Sequence, residues 1–157
     1  IHALRAEAES VTAFGENFHT ASGKALCRGK RPRSRKLDDQ IDAAFNGGLG
    51  AGKTAFVRGL ARGMGLDCRV SSPTFTIVNE YLGERELIHF DMYRLGGADE
   101  LFDIGWEDYL ARGGVCAVEW SERVTDALPP DTVFVNIARH AENENWRTIT
   151  VTGGVEA

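Results

Sequence analysis

Residues 47–54 read Gly-Gly-Leu-Gly-Ala-Gly-Lys-Thr, which fits G-x-x-x-x-G-K-[ST]. This pattern is a phosphate-binding loop when a strand enters it and a helix leaves it. Its residue types follow from the chemistry. Glycines let backbone N–H groups converge on an anion without obstruction by Cβ. A helix that starts at the loop directs its positive dipole end at the phosphates. Lys53 supplies a mobile charge for the β and γ phosphates, and Thr54 a hydroxyl for Mg²⁺. The bland reading is a chance glycine-rich loop. Against it, Lys53–Met64 follows at once with helical spacing of Phe56, Val57, Leu60 and Met64, and Gly63 and Gly65 mark its end.

A loop of this kind needs a carboxylate near the metal, usually at the carboxyl end of a strand. Two runs end that way. Leu87-Ile88-His89-Phe90-Asp91 alternates and closes on Asp91, and Val115-Cys116-Ala117-Val118-Glu119 is apolar and closes on Glu119. Either alone reads equally well as a solvated strand end. Together they suggest that one holds the metal and the other the metal or the attacking water. Ser71-Ser72-Pro73-Thr74 offers hydroxyls where a loop could sense a γ-phosphate, or is an ordinary turn punctuated by Pro73. Trp120 reads first as core, Arg123 as facing either nucleotide or solvent, and His89 as a sheet residue before a ligand.

The remainder of the chain bounds the fold. Its 157 residues suit one domain, and 43% hydrophobic with 26% charged residues is ordinary globular composition. Residues 3–19 have the spacing of an amphipathic helix. Ile41–Phe45 is a poor strand candidate that leads into the glycine loop. Thr74–Tyr81 and Glu86–Tyr93 read as a hairpin turning at Leu82–Arg85, Ala98–Leu110 as short helical pieces broken at Gly105, and Val115–Trp120 as a buried parallel strand. Thr132–Ala138 and Arg147–Thr152 read as final strands. The expectation is an α/β, P-loop NTPase-like fold. Its mixed sheet has a parallel core plus one antiparallel hairpin, flanked by helices.

Charge and cysteines narrow the partners. Residues 1–40 carry eight basic and five acidic side chains, a net +3, whereas residues 41–157 carry ten and eighteen, a net −8. An acidic body argues against autonomous binding to a nucleic-acid backbone, but not against docking onto a partner that binds one. Cys27, Cys68 and Cys116 form no C-x-x-C pair, so no disulfide partner is expected and a reducing, cytoplasmic setting fits. No apolar run approaches the roughly 18–20 residues of a membrane span, and no secretory apolar segment opens the chain.

The motifs occur in a particular order: GGLGAGKTAFVRGLARGMG, SSPTFTIVNEY, HFDMYRL, ELFDIGWEDYL, then VEWSER. In this the chain resembles the bacterial TsaE family, also called YjeE, from about Gly47 to Arg123 and more weakly to Val151. SPTF-x-x-x-N-x-Y, H-x-D-x-Y-R and E-W-x-E are far more specific than the glycine loop. The resemblance implies an ATPase of threonylcarbamoyladenosine biosynthesis that works with TsaD and TsaB on tRNAs reading ANN codons. It implies ATP and Mg²⁺ as ligands and weak hydrolysis without partners. By the same resemblance Gly48, Leu49, Gly50, Ala51, Gly52 and Lys53 cradle the phosphates. Thr54 and Glu119 hold the metal, and Asp91 lies in the metal or water shell. Ser72 and Thr74 belong to a switch-like loop, and Trp120 and Glu122 flank the nucleotide. Lys53, Asp91 and Glu119 are thus the candidate catalytic residues.

Two departures stand out. Gly48 replaces a common Asp. The link to the loop is the basic CRGKRPRSRK, followed by a strand that carries Asp42, so residues 27–46 look like an insertion or a reading-frame error. A charge in a central strand needs a partner, and a damaged strand would anchor the loop badly. Two other functions compete. A small-molecule or nucleoside kinase would need an acceptor pocket and a basic lid. A nucleotide-gated scaffold would need binding without useful hydrolysis. No N-K-x-D motif is present to read guanine.

Overall fold

The computed structural model describes residues 11–14 and 40–154. A seven-stranded sheet runs through it in the order β1-β7-β6-β2-β5-β4-β3. The strands are β1 (Val11–Phe14), β2 (Ile41–Asn46), β3 (Val78–Tyr81), β4 (Leu87–Asp91), β5 (Val115–Glu119), β6 (Val133–Arg139) and β7 (Trp146–Gly153). The helices are α1 (Lys53–Gly63), α2 (Ala98–Asp103) and α3 (Trp106–Leu110). Strands β6, β2, β5 and β4 form the parallel core, because β2 pairs in parallel with both β5 and β6 and β4 with β5. The expected hairpin is β3–β4, and β6–β7 is a second antiparallel pair.

The helix expected over residues 3–19 is contradicted at Val11–Phe14, which pair antiparallel with β7 as β1. Spacing of four apolar residues cannot register a free sheet edge, and that edge decides here. The rest of that segment and the basic stretch 27–39 lie outside the described residues. Among the described residues, no helix is long and apolar enough to cross a membrane. Cys68 is half-buried and Cys116 buried, and neither is joined in a disulfide among the described residues.

Side-chain alternation divides the core. Ala43, Phe45, Leu87, Val115 and Ala117 face α1 with Val57 and Ala61. Ile88, Phe90, Cys116 and Val118 face α2 and α3, where Trp106 meets Phe90 edge-on at 5.1 Å. Burying a side chain such as Phe45 stabilises the fold by about 1.5–3 kcal/mol. Periodicity of two then places His89, Asp91 and Glu119 on the α1 face, at the carboxyl ends of β4 and β5.

β2 is not the damaged strand that its sequence suggests. It is central, paired on both sides, and Ala43, Ala44 and Phe45 are fully buried. Asp42 is buried with them and accepts a 2.9 Å bond from Gln40 Nε2. Burial pushes its carboxyl pKa above the ordinary 3.8, and Asp131 adds to this, against bonds from Gln40 and Cys116. The folded state therefore holds this proton more tightly than the unfolded chain does. Stability falls as pH rises from 3.8 through the folded-state value and stays lower above it. Asp42→Val is expected to stabilise the protein at neutral pH by about 1–3 kcal/mol. The gain should shrink towards acid pH, read as urea midpoints across a pH series. An equal gain at every pH would show that Asp42 does not titrate in this way.

Candidate active site

The glycine loop leaves the carboxyl end of β2 and enters α1, at the point where neighbouring connections from the parallel core diverge. Gly47, Gly50 and Gly52 have φ of +144°, +70° and +115°, which side chains other than glycine rarely adopt. Ala51 N–H donates to Gly48 O at 3.1 Å and tightens the loop. Gly48, Leu49 and Gly50 are exposed, and Ala51 is packed inside.

Lys53 is buried at the first position of α1, and its Nζ donates to Gly47 O and, at 3.2 Å, to Gly48 O. An ammonium has three donors, so one remains for a ligand. The Nζ also lies 3.7 Å from the centroid of the Trp120 ring. Burial pulls the Lys53 pKa below its ordinary range, and Glu119, Glu122 and Asp91 oppose it. The site thus holds a buried cation on two loop carbonyls, with three carboxylates within electrostatic reach.

Glu119 Oε1 accepts from Thr54 Oγ1 at 2.7 Å and contacts His89 Nε2 at 2.8 Å. His89 is a fully buried sheet residue, as its position predicts, yet it touches the site. Its Nδ1 is buried and has no hydrogen-bond partner among the described residues. Asp91 is the register partner of Glu119. Its Oδ2 accepts from Ser72 Oγ at 2.9 Å and Thr74 Oγ1 at 2.6 Å, and its Oδ1 accepts from Tyr93 N–H at 3.0 Å. The Ser72–Thr74 loop therefore hangs on Asp91.

Two non-glycine residues among those described have positive φ, Ile77 at 67° and Trp120 at 58°, and both border the site. Left-handed backbone costs an L-residue roughly 1–2 kcal/mol. Ile77 is held by N–H to Pro73 O at 2.6 Å and by Asp91 N–H donating to Ile77 O at 2.9 Å. Trp120 is held by its N–H to Phe45 O at 3.0 Å and by Tyr93, whose ring centroid lies 4.9 Å away. Trp120 therefore packs against the core and also borders Lys53. Glu122 is exposed on the following turn, within electrostatic reach of Lys53. Arg123 is also exposed, with Nη1 on Leu95 O at 3.1 Å.

The structure thus gathers Lys53, Thr54, Asp91, Glu119, Ser72, Thr74 and Trp120. Sequence reasoning missed the contact of His89 with Glu119 and two arginines behind the loop, Arg139 and Arg147. An H-x-D pattern on an alternating strand places His89 on the same face as Asp91, a signal that was available for His89. No local signal marks the arginines.

The family model described as threonylcarbamoyl adenosine biosynthesis protein TsaE matches residues 6–149. A Treponema pallidum protein named tRNA threonylcarbamoyladenosine biosynthesis protein TsaE is 42% identical over 117 residues, covering 74% of this chain and 85% of the relative. The Bacillus subtilis protein of the same name is 39% identical over 132 residues, covering 78% and 82%. A crystal structure of Bacillus subtilis YdiB shares the fold with a TM-score of 0.62 at 24% identity, covering 95% of this chain and 89% of that one. By family model and by relatives, the chain belongs to the TsaE family.

Proposed function

We propose that this chain is a Mg²⁺-dependent ATPase that serves threonylcarbamoyladenosine formation on tRNA. It would act in the cytoplasm beside TsaD and TsaB and meet tRNA through them. The observation that carries the ATPase reading is the convergence of Lys53, Thr54, Glu119 and Asp91 at the carboxyl ends of β2, β5 and β4. The names of the relatives support the pathway.

The residues fit magnesium. Thr54 Oγ1 and Glu119 Oε1 are hard oxygen donors in contact at 2.7 Å. Among the described residues no cluster of three or more His, Cys, Asp or Glu forms a cage. Magnesium beside phosphates takes one or two protein oxygens of this kind and keeps water. When bound, it would neutralise charge on the β and γ phosphates. Lys53 would move its ammonium from loop carbonyls to phosphate oxygens. The loop amides would hold the phosphates, and Trp120 and Glu122 would border the nucleotide. His89 would fix the Glu119 carboxylate. Either Asp91 or Glu119 would orient the attacking water, with Ser72 and Thr74 coupling the phosphate to their loop through Asp91.

Phosphate release from Mg·ATP tests this, with and without TsaD and TsaB. Slow release alone, raised by the partners, is expected. Glu119→Gln keeps an amide oxygen that can accept from Thr54 and His89 but loses the charge. It should still fold and bind nucleotide while hydrolysis falls by about 100-fold or more, the scale of losing one transition-state contact. Binding without hydrolysis under every condition would favour a nucleotide-gated scaffold, and a phosphorylated small molecule would favour a kinase.

A further inference from the structure

Arg139 and Arg147 lie far from the glycine motif in sequence, yet both donate to it. They are direct cross-strand partners on β6 and β7. Residues opposite one another on an antiparallel pair project to the same side. Arg139 Nη2 donates to Leu49 O at 3.2 Å, and Arg147 Nε donates to Ala51 O at 2.8 Å. These are alternate carbonyls of the loop. The Arg147 guanidinium is itself set in place, since its Nη1 donates to Glu144 O at 2.6 Å and Trp146 O at 2.8 Å.

The peptide bonds here are trans, so each C=O points opposite to the N–H that follows it. Drawing Leu49 O and Ala51 O towards the arginines turns the Gly50 and Gly52 N–H groups the other way. Among the described residues neither N–H has a hydrogen-bond acceptor, whereas Ala51 N–H is spent on Gly48 O. A guanidinium on each alternate carbonyl thus leaves two aligned free donors for an anion.

We propose that Arg139 and Arg147 are positioning residues that hold the phosphate loop in its anion-binding conformation, which makes the C-terminal hairpin part of the nucleotide site. The proposal rests on the nucleotide reading above. Arg147 is half-buried and carries the larger share, while Arg139 is exposed.

The test measures ADP and ATP dissociation constants by calorimetry for the wild type, Arg147→Ala, Arg147→Lys and Arg139→Ala, together with thermal midpoints and amide NMR spectra of the nucleotide-free proteins. Arg147→Ala should weaken binding about tenfold or more, as expected for a lost charge-assisted hydrogen bond. Arg139→Ala should weaken it less, and Arg147→Lys should recover part of the loss. The Gly50 and Gly52 amide signals should move in free Arg147→Ala while those of β4 and β5 stay. A staple that only supports the fold would lower the midpoint and leave the dissociation constants and these two amides unchanged, and that result overturns the proposal. If Arg147→Ala does not fold, wild-type affinity in both Arg147→Lys and Arg139→Ala overturns it equally. A folded wild type that binds no nucleotide sinks the ATPase reading instead, and the free-protein Gly50 and Gly52 signals then still decide the clamp.

Discussion

Lys53→Ala is expected to abolish the thermal stabilisation that Mg·ATP gives the wild-type protein. A ligand that binds only the folded state at 100 times its dissociation constant adds about 2.7 kcal/mol, or roughly 5–10 °C for a domain of this size. Lys53 is the cation best placed to be exchanged for phosphate, because its ammonium is buried and its present partners are neutral carbonyls. Loss of a charged hydrogen-bonding group from such a site weakens a phosphate ligand by about 1.5–3 kcal/mol per contact. More than one phosphate contact is at stake, so the shift should vanish at the same nucleotide concentration. The nucleotide-free midpoint should move little, since the lost loop bonds are offset by removing a cation that burial disfavours. A shift of wild-type size in Lys53→Ala would place the nucleotide elsewhere or remove it from this site altogether.

The parts of the site that were legible are those whose chemistry is local. Gly47–Thr54 announces itself because its glycines, cation and hydroxyl sit within one turn of chain and a helix follows. Asp91 and Glu119 were legible as strand ends, and parallel pairing of β4 with β5 makes them neighbours. The roles of Ser72 and Thr74 had no sequence proof of their own. They depend on a loop that folds back onto Asp91 over 17 to 19 residues of separation. Arg139 and Arg147 were invisible because their function comes from the β6–β7 register and from contacts spanning 90 and 96 residues. Asp42 misled for the opposite reason. A charge argues locally against a central strand, but ladders on both sides and the burial of Ala43, Ala44 and Phe45 outweigh the cost of burying one carboxyl, a cost that its raised pKa reflects. The amphipathic spacing of residues 3–19 likewise gave no hint of the edge that receives Val11–Phe14.

Gly47→Ala should destabilise the fold by about 3 kcal/mol or more, among the larger effects of a single substitution. An added Cβ would stand 2.3 Å from Ile137 O and 3.2 Å from Ala51 Cβ, at a φ of +144°. The oxygen belongs to the backbone of β6, paired to β2 on one side and β7 on the other, so it cannot give way as a flexible side chain would. Gly48→Ala makes the contrast. Its Cβ would meet nothing within 4 Å among the described residues, and its φ is not in the positive range, so stability should stay within about 0.5 kcal/mol. The motif fixes Gly47 and leaves Gly48 as one of its four variable positions. Urea midpoints of the two variants should separate them, because Gly47 fixes the loop against the sheet and Gly48 borders open space. Equal midpoints would mean that the loop can lift off β6 at little cost. The carbonyl bonds from Arg139 and Arg147 would then be the main restraint on its position.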